Sequence, residues 1–186
     1  MIAEDMPRVA FDDAGLRVAE KHPYLCAQYH DKMDKQSVRA SGASDLDWLY
    51  ELNEAAHREL VEQAYGPWLD AQQRKFFDPM VNDHEVLVLE RDGQRVGAAY
   101  LGLRDGDTWL ELVEVDPSSQ GLGLGTWLLG WIVDRSSAAG RGTLLQVHKV
   151  NERARSLYLR TGFLPVGETP THHLLQHPAT AFQAGS

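Results

Sequence analysis

The feature that most constrains this chain is the segment over residues 113–126, Val-Glu-Val-Asp-Pro-Ser-Ser-Gln-Gly-Leu-Gly-Leu-Gly-Thr. Its apolar, β-branched beginning predicts a strand that stops at Pro117, and its glycines predict a loop that leads into a helix over residues 124–139. A strand, a glycine-rich loop and a helix in this order form an anion site, because the N–H groups at a helix start carry roughly half a positive charge. The segment therefore predicts a phosphate-binding turn, and a turn needed only for tight packing is the alternative.

The glycine spacing excludes two common phosphate loops. Gly125 is followed by Thr126 and Trp127, so the Lys-Ser/Thr pair of a P-loop is missing. The glycines also do not fit the dinucleotide fingerprint G-x-G-x-x-G. The pattern that is present, Gln120-x-x-Gly123-x-Gly125, resembles the pyrophosphate loop of the GNAT N-acetyltransferases, which bind acetyl-coenzyme A.

A second motif lies further along the chain. A predicted strand over residues 144–147 is followed by Asn151 as a helix N-cap, a helix of about three turns and a glycine stop at Gly162. The pattern Asn151-x-x-Ala154-x-x-Leu157-Tyr158-x-x-x-Gly162-Phe163 is similar to the other signature stretch of the same superfamily. With both motifs in the family's order, the chain is identified as a member of the GNAT superfamily, and the resemblance covers about residues 36–176.

The remaining patterns predict the order of the elements. Helices are expected over residues 45–64 and 68–77, and a hairpin turn at Asp92-Gly93. Strands are expected over residues 36–40, 85–90, 95–103, 109–115, 164–168 and 172–176. Strands first, then strands alternating with helices, predict a mixed α/β fold. The resemblance implies the GNAT fold, a largely antiparallel central sheet flanked by helices. We expect an N-terminal extension of uncertain structure over residues 1–35, a GNAT domain over residues 36–178 and a C-terminal tail over residues 179–186.

The resemblance also implies where acetyl-coenzyme A is held. In the family, the strand before the loop diverges from its neighbour and its backbone hydrogen-bonds the pantetheine arm, while the loop N–H groups hold the pyrophosphate. Glycine at three loop positions allows phosphate to approach without a Cβ clash. The predicted cofactor residues are Val113, Val115, Gln120, Gly121, Leu122, Gly123, Leu124, Gly125, Thr126, Asn151 and Tyr158. Asn151 has an equally good structural role as a helix N-cap.

Two residues are predicted to be catalytic. Tyr158 matches the family's tyrosine acid, which protonates the departing thiolate, and a half-buried aromatic with a structural role is the alternative. An alkylamine with a pKa near 10.4 also needs a base, since deprotonating it at neutral pH costs roughly 4 kcal/mol. Simple alternation places Glu111 and Glu114 on opposite strand faces. We predict Glu111 as the base because similar enzymes often carry an acidic residue there, and a solvated carboxylate is the alternative. Glu85 and His84, at the start of a neighbouring strand, are more distant candidates.

Composition limits the partners. Eighteen basic and 27 acidic residues give a formal charge of −9, which disfavours nucleic-acid binding and favours cationic small molecules or basic peptides. No apolar run reaches membrane-spanning length and the beginning does not read as a secretory signal, so we expect a cytoplasmic protein without membrane contact. The single cysteine, Cys26, excludes an internal disulfide. His172, His173 and His177 resemble metal ligands, but adjacent strand residues face opposite sides and no acidic or Cys partner is spaced with them, so we predict no metal.

Three functional hypotheses follow. The leading one is an enzyme that moves an acetyl group from acetyl-coenzyme A to a primary amine by direct attack in a ternary complex. Its acceptor stays open between a small amine, an amino acid, an antibiotic and a protein amine, and the resemblance allows a homodimer through a sheet edge. The second is a non-catalytic coenzyme A-binding regulatory module, which would tolerate Tyr158→Phe. The third, a nucleotide-binding α/β domain, leaves the motif that begins at Asn151 unexplained.

Overall fold

The computed structural model describes residues 10–11, 17–18 and 36–179 of the chain. The chain divides into two units, Met1–Lys35 and Gln36–Ser186. In the first unit, strand β1 (Ala10–Phe11) pairs antiparallel with strand β2 (Arg17–Val18). Cys26 lies outside the described residues.

The described part of the second unit is built from strands and helices in the order that the sequence predicts. In chain order they are β3 (Gln36–Ala40), α1 (Leu46–Tyr65), α2 (Asp70–Asp83), β4 (Glu85–Arg91), β5 (Gln94–Arg104), β6 (Asp107–Val115), α3 (Leu124–Ala138), β7 (Thr143–His148), α4 (Glu152–Arg160), β8 (Leu164–Glu168) and β9 (His172–His177). Most bounds agree with the predicted ones to within two residues. The predicted mixed α/β class is therefore confirmed.

Helix α2 differs most from its prediction. The predicted helix over residues 68–77 begins at Asp70 instead and continues through Pro79 to Asp83. A proline lacks the N–H group that would bond the carbonyl four residues earlier, here that of Lys75. Lys75 is exposed, so water can satisfy that carbonyl, and the helix ends only where His84 becomes extended.

The seven strands β3 to β9 form one sheet in the order β3-β4-β5-β6-β7-β9-β8. All neighbours are antiparallel except β6 and β7, which are parallel and joined through α3, because a parallel pair needs a crossover connection. The hairpin between β4 and β5 turns at Asp92 and Gly93, whose φ angles of +53° and +72° are those that a two-residue type I′ turn requires. The largely antiparallel sheet that the resemblance implied is thus present.

Each face of the sheet carries its own hydrophobic core. On one face, which we call the α3 face, helices α3 and α4 pack with Leu128, Leu129 and Ile132 fully buried. On the other, the α1 face, helices α1 and α2 pack around Leu49 and Tyr100. Burying each such side chain contributes about 1.5–3 kcal/mol, so packing holds both helix pairs to the sheet. No helix among the described residues has both the length and the apolar character needed to cross a membrane.

Candidate functional site

The glycine-rich loop presents free backbone N–H groups at the start of α3. Gly123 is the N-cap residue, with φ +80° and ψ 2°, and no side chain caps the helix there. The first helical hydrogen bond runs from the N–H of Trp127 to the carbonyl of Gly123, which leaves the preceding N–H groups without helical partners. A Cβ on Gly121 or Gly123 would have no atom within 4 Å, so the space beside the loop is open. Left-handed backbone, free donors and open space fit an anionic group such as a pyrophosphate.

The other loop residues divide by side-chain environment. Gln120 folds back on strand β6, where its Nε2 donates to the carbonyl of Val115 at 3.1 Å. The side chain of Leu124 belongs to the core of the α3 face, so this residue can offer only its backbone to a ligand. Leu122 and Thr126 are exposed. A Cβ on Gly125 would lie 3.4 Å from Leu157, which shows how closely the helix start approaches α4.

Strands β6 and β7 separate beside this loop. Their parallel pairing ends at Leu110 with Leu145, although β6 continues to Val115 and β7 to His148. On its other side, β6 stays paired with β5 as far as Val115. The β6 backbone from residue 111 onward therefore faces a gap on its β7 side. The side chains of Val113 and Val115 pack against the core of the α3 face, so their backbone is firmly held.

A β-bulge at the start of the gap changes the face on which Glu111 lies. Tyr100 pairs with Leu112 and Leu101 with Leu110, so Glu111 is an extra residue on β6. Its carboxylate accepts a hydrogen bond from Nε1 of Trp109 and lies on the α1 face. The expectation that Glu111 and Glu114 face opposite sides was wrong, because alternation is interrupted by the bulge. The carboxylates of both lie on the α1 face, opposite to Val113 and Val115.

Glu111 lies beside an imidazole that the sequence ranked low. Nε2 of His84 is 3.9 Å from a carboxylate oxygen of Glu111, and about a third of the Glu111 side chain is exposed. Nδ1 of His84 donates to the carbonyl of Met80 at 2.9 Å, which fixes the ring at the end of α2. The pairing of β4 with β5 brings His84 beside Glu111. In the sequence, the position of His84 just before a predicted strand was the one indication of this placement.

Glu114 forms a buried polar cluster with residues of α1 and β5. Its side chain is fully buried, and Nδ2 of Asn53 donates to Oε1 at 2.7 Å. Nε2 of His57 lies 3.0 Å from the same oxygen, outside hydrogen-bond geometry, and forms an ion pair with the carboxylate when its ring is protonated. Burial, and then the charge of Glu114, raise the pKa of the Tyr100 hydroxyl well above its ordinary value. Sequence reasoning missed this cluster, because its members are far apart in the chain.

Tyr158 and Asn151 belong to helix α4. Tyr158 is buried on the α3 face, and its ring makes an edge contact with Phe163 at a centroid distance of 5.8 Å. Burial raises the pKa of its hydroxyl to about 12, so the group is protonated at neutral pH. Oδ1 of Asn151 accepts from the N–H of Ala154 at 3.0 Å, which is the N-cap bond that the sequence predicted.

Three rings cross the α1 face beyond the gap. Tyr65 at the end of α1 contacts His148 at the end of β7, and His148 contacts His172 of β9. His173 lies within 3.7 Å of Glu168 instead of joining this row. Among the described residues, no three His, Cys, Asp or Glu side chains form a group that could hold a metal ion.

The arrangement brings two kinds of chemistry to one gap in the sheet. The loop N–H groups and the protonated Tyr158 belong to the α3 side, whereas Glu111, Glu114 and His84 belong to the α1 side. Two reactants that enter from opposite faces can meet where β6 and β7 separate. One would be held by backbone N–H groups and a neutral acid, and the other would face carboxylates.

Comparison with known proteins gives a family and a set of similar structures. Residues 52–163, more than half of the chain, match the family model described as "Acetyltransferase (GNAT) family". The PaiA N-acetyltransferase of Thermoplasma acidophilum in complex with coenzyme A has a TM-score of 0.66 at 16% identity, over 77% of this chain and 98% of that one. The ribosomal-protein-S18-alanine N-acetyltransferase of Escherichia coli has a TM-score of 0.62 at 21% identity, over 81% of this chain and 99% of that one. A GNAT family acetyltransferase of Elizabethkingia anophelis with acetyl-CoA bound has a TM-score of 0.60 at 16% identity, over 78% of this chain and 99% of that one. No curated protein sequence matches significantly.

Proposed function

The chain belongs to the GNAT family of acetyltransferases and is an acetyl-CoA-dependent N-acetyltransferase, and from that premise we propose that it acetylates the primary amine of a small molecule by direct attack in a ternary complex. The observation that carries the proposal is the gap between β6 and β7. It lies between the open N–H groups of the loop and the carboxylate of Glu111. A ternary complex needs such a meeting point for two substrates.

The fit of the described residues supports a site for acetyl-CoA on the α3 side. The N–H groups over residues 121–126 would bind the pyrophosphate, whereas the N–H of Gln120 already donates to the carbonyl of Pro117. The β6 backbone at Val113 and Val115 would bind the pantetheine arm through the edge that β7 leaves free. Asn151 is occupied as an N-cap through Oδ1, and its amide nitrogen is the atom we assign to a cofactor contact. When bound, acetyl-CoA supplies an activated thioester.

In the proposed reaction, the amine nitrogen forms a bond to the thioester carbonyl carbon while the C–S bond breaks. The amine gives up a proton to Glu111, directly or through one water molecule, and the departing thiolate takes a proton from Tyr158. The protonated state of Tyr158, with its pKa raised to about 12 by burial, supports the role of acid. The predicted site thus keeps acid and base on opposite faces.

Glu111 is a better candidate for the base than Glu114. A base must come within hydrogen-bond reach of the amine, and a third of the Glu111 side chain is exposed beside the gap. The Glu114 side chain is fully buried and already accepts from Asn53. Nearby His84 can stabilise the Glu111 carboxylate electrostatically when its ring is protonated.

Three further proposals concern partners and place. The net charge of −9 supports a cationic acceptor and argues against nucleic acid. Strand β8 is an exposed edge of the sheet with Leu164 and Val166 uncovered, which supports pairing with a second copy of the chain. We place the reaction in the cytoplasm, where acetyl-CoA is available.

Calorimetric titration with acetyl-CoA, with ATP and NAD as controls, tests the cofactor site. We expect binding of acetyl-CoA alone. Thiol release is then measured with a panel of primary amines for the wild type, Tyr158→Phe and Glu111→Gln. We expect both variants to bind acetyl-CoA and to turn over slowly. Absence of acetyl-CoA binding by folded protein would refute the site, and full activity of Glu111→Gln would refute the assigned base.

A further inference from the structure

The row of rings on the α1 face forms a rigid surface beside the gap. Tyr65 is 68% exposed, and its ring centroid lies 5.6 Å from that of His148 at 80°. His148 lies 4.8 Å from His172 at 79°. The two histidines are register partners on β7 and β9, so the sheet fixes their positions. We call Tyr65, His148 and His172 the ring wall.

The two imidazoles of the ring wall have different environments. Nδ1 of His148 accepts a hydrogen bond from the N–H of Val150 at 3.2 Å, which requires a lone pair on that nitrogen. Partial burial, and then the neighbouring His148, lower the pKa of His172 below its ordinary value. Neutral rings pack well against a flat apolar group, whereas imidazolium ions would repel a cationic acceptor.

A shallow cavity adjoins the ring wall through His172. Its volume of about 140 Å³ is below the roughly 300–1,000 Å³ of a drug-sized pocket and close to the size of one aromatic ring, since a cavity of about 150 Å³ takes up benzene. Leu174 and Gln146, which are also register partners, line it together with Arg104. Leu174 supplies an apolar floor, and the amide and guanidinium supply donors at the edge.

The ring wall lies further along the gap than Glu111. Glu111 is one residue beyond Leu110 on β6, and His148 is three residues beyond Leu145 on β7, where Leu110 and Leu145 are the last paired residues. The two positions therefore differ by two residues, about 7 Å, along the strand direction, and the separation of β6 from β7 adds to the distance between them.

We propose that the acceptor is an arylalkylamine whose flat ring binds against the ring wall and over Leu174, while its short alkyl chain brings the amine to Glu111. This inference rests on the proposed function and names the acceptor class for the same site. An unbranched alkylamine would reach Glu111 equally well but would leave the ring wall without a flat partner. The ring wall therefore determines specificity and takes no part in the chemical step.

The experiment compares 3-phenylpropylamine with n-hexylamine as acceptors, measuring kcat/KM and the KM for acetyl-CoA. In the wild type, kcat/KM is expected to be at least about tenfold higher for the aryl amine. Tyr65→Ala and His148→Ala should each lower the aryl value by about 3- to 10-fold and leave the hexylamine value unchanged. Tyr65→Phe should keep the preference. Phe76→Ala, an aromatic truncation at a residue of α2 that is 74% exposed, is the matched control and should change neither.

The outcomes separate this inference from the proposed function. Equal rates for the two amines, or an equal loss for both in Tyr65→Ala, would overturn the inference. Acetyl transfer to other amines in the panel, but to neither of these two, would also overturn the inference and would leave the proposed N-acetyl transfer intact. Failure to bind acetyl-CoA would instead overturn the proposed cofactor site. Thermal unfolding of every variant shows whether a loss comes from misfolding.

Discussion

Replacing Asn53 and His57, the two partners of Glu114, should destabilise the fold far more than replacing all three residues together. The carboxylate is fully buried, with Asn53 Nδ2 at 2.7 Å and His57 Nε2 at 3.0 Å from one of its oxygens. The other oxygen has no hydrogen-bond partner among the described residues. A buried charge that loses its partners keeps its desolvation cost without compensation.

The magnitude follows from that burial. In the variant Asn53→Ala/His57→Ala, we expect the free energy of unfolding to fall by about 3–5 kcal/mol, the usual cost of leaving a buried charge unpaired. For a chain of this size, that corresponds to a fall in Tm of about 6–20 °C. Adding Glu114→Leu to the same variant removes the unpaired charge and should recover most of the loss, since apolar replacement of a buried ionic group is often neutral.

Urea and thermal unfolding of these variants provide the assay. The matched control is Glu54→Ala/Arg58→Ala, which removes an ion pair of exposed and half-exposed side chains from the same helix and should change stability little. A loss in Asn53→Ala/His57→Ala no larger than the control's would refute the buried ion cluster. Failure of Glu114→Leu to restore stability would refute the explanation by desolvation.

Three other perturbations test separate parts of the structure. Tyr158→Phe should lower kcat by about 10²–10⁴-fold with the Kd for acetyl-CoA unchanged, and an unchanged kcat would exclude the acid role. Because the pKa of Tyr158 is raised to about 12, wild-type activity should show no loss from ionisation of this hydroxyl up to pH 10. Gly97→Ala would place a Cβ 2.6 Å from the carbonyl oxygen of Glu114, so we expect about 1–3 kcal/mol of destabilisation by urea unfolding and weaker acetyl-CoA binding; wild-type values for both would contradict this packing. Hydrogen bonds from Arg39 hold the pKa of Asp45 well below its usual range, so the wild type should be more stable than Asp45→Asn at pH 7. This difference in the free energy of unfolding should shrink as the pH falls below about 4, and a difference that stays constant would contradict the lowered pKa.

Local signals were enough to predict the elements and the loop. The Asp92-Gly93 turn, the Asn151 cap and the Gly123 helix start each depend on a few adjacent residues, and the structure has all three. Interactions between distant residues were not predictable in the same way. Asn53 and Glu114 are 61 positions apart, and nothing near either residue in the sequence indicates that they meet.

The bulge at Glu111 shows how one non-local feature changes a mechanistic interpretation. Alternation along β6 placed Glu111 on the same face as Val113, which is the face of Tyr158. The extra residue arises only from the register with β5, where Tyr100 and Leu101 face Leu112 and Leu110. With the bulge, the proposed base and the proposed acid lie on opposite faces of the sheet. That separation suits a reaction in which one proton leaves the amine and a different proton reaches the thiolate, because neither group then competes for the proton of the other.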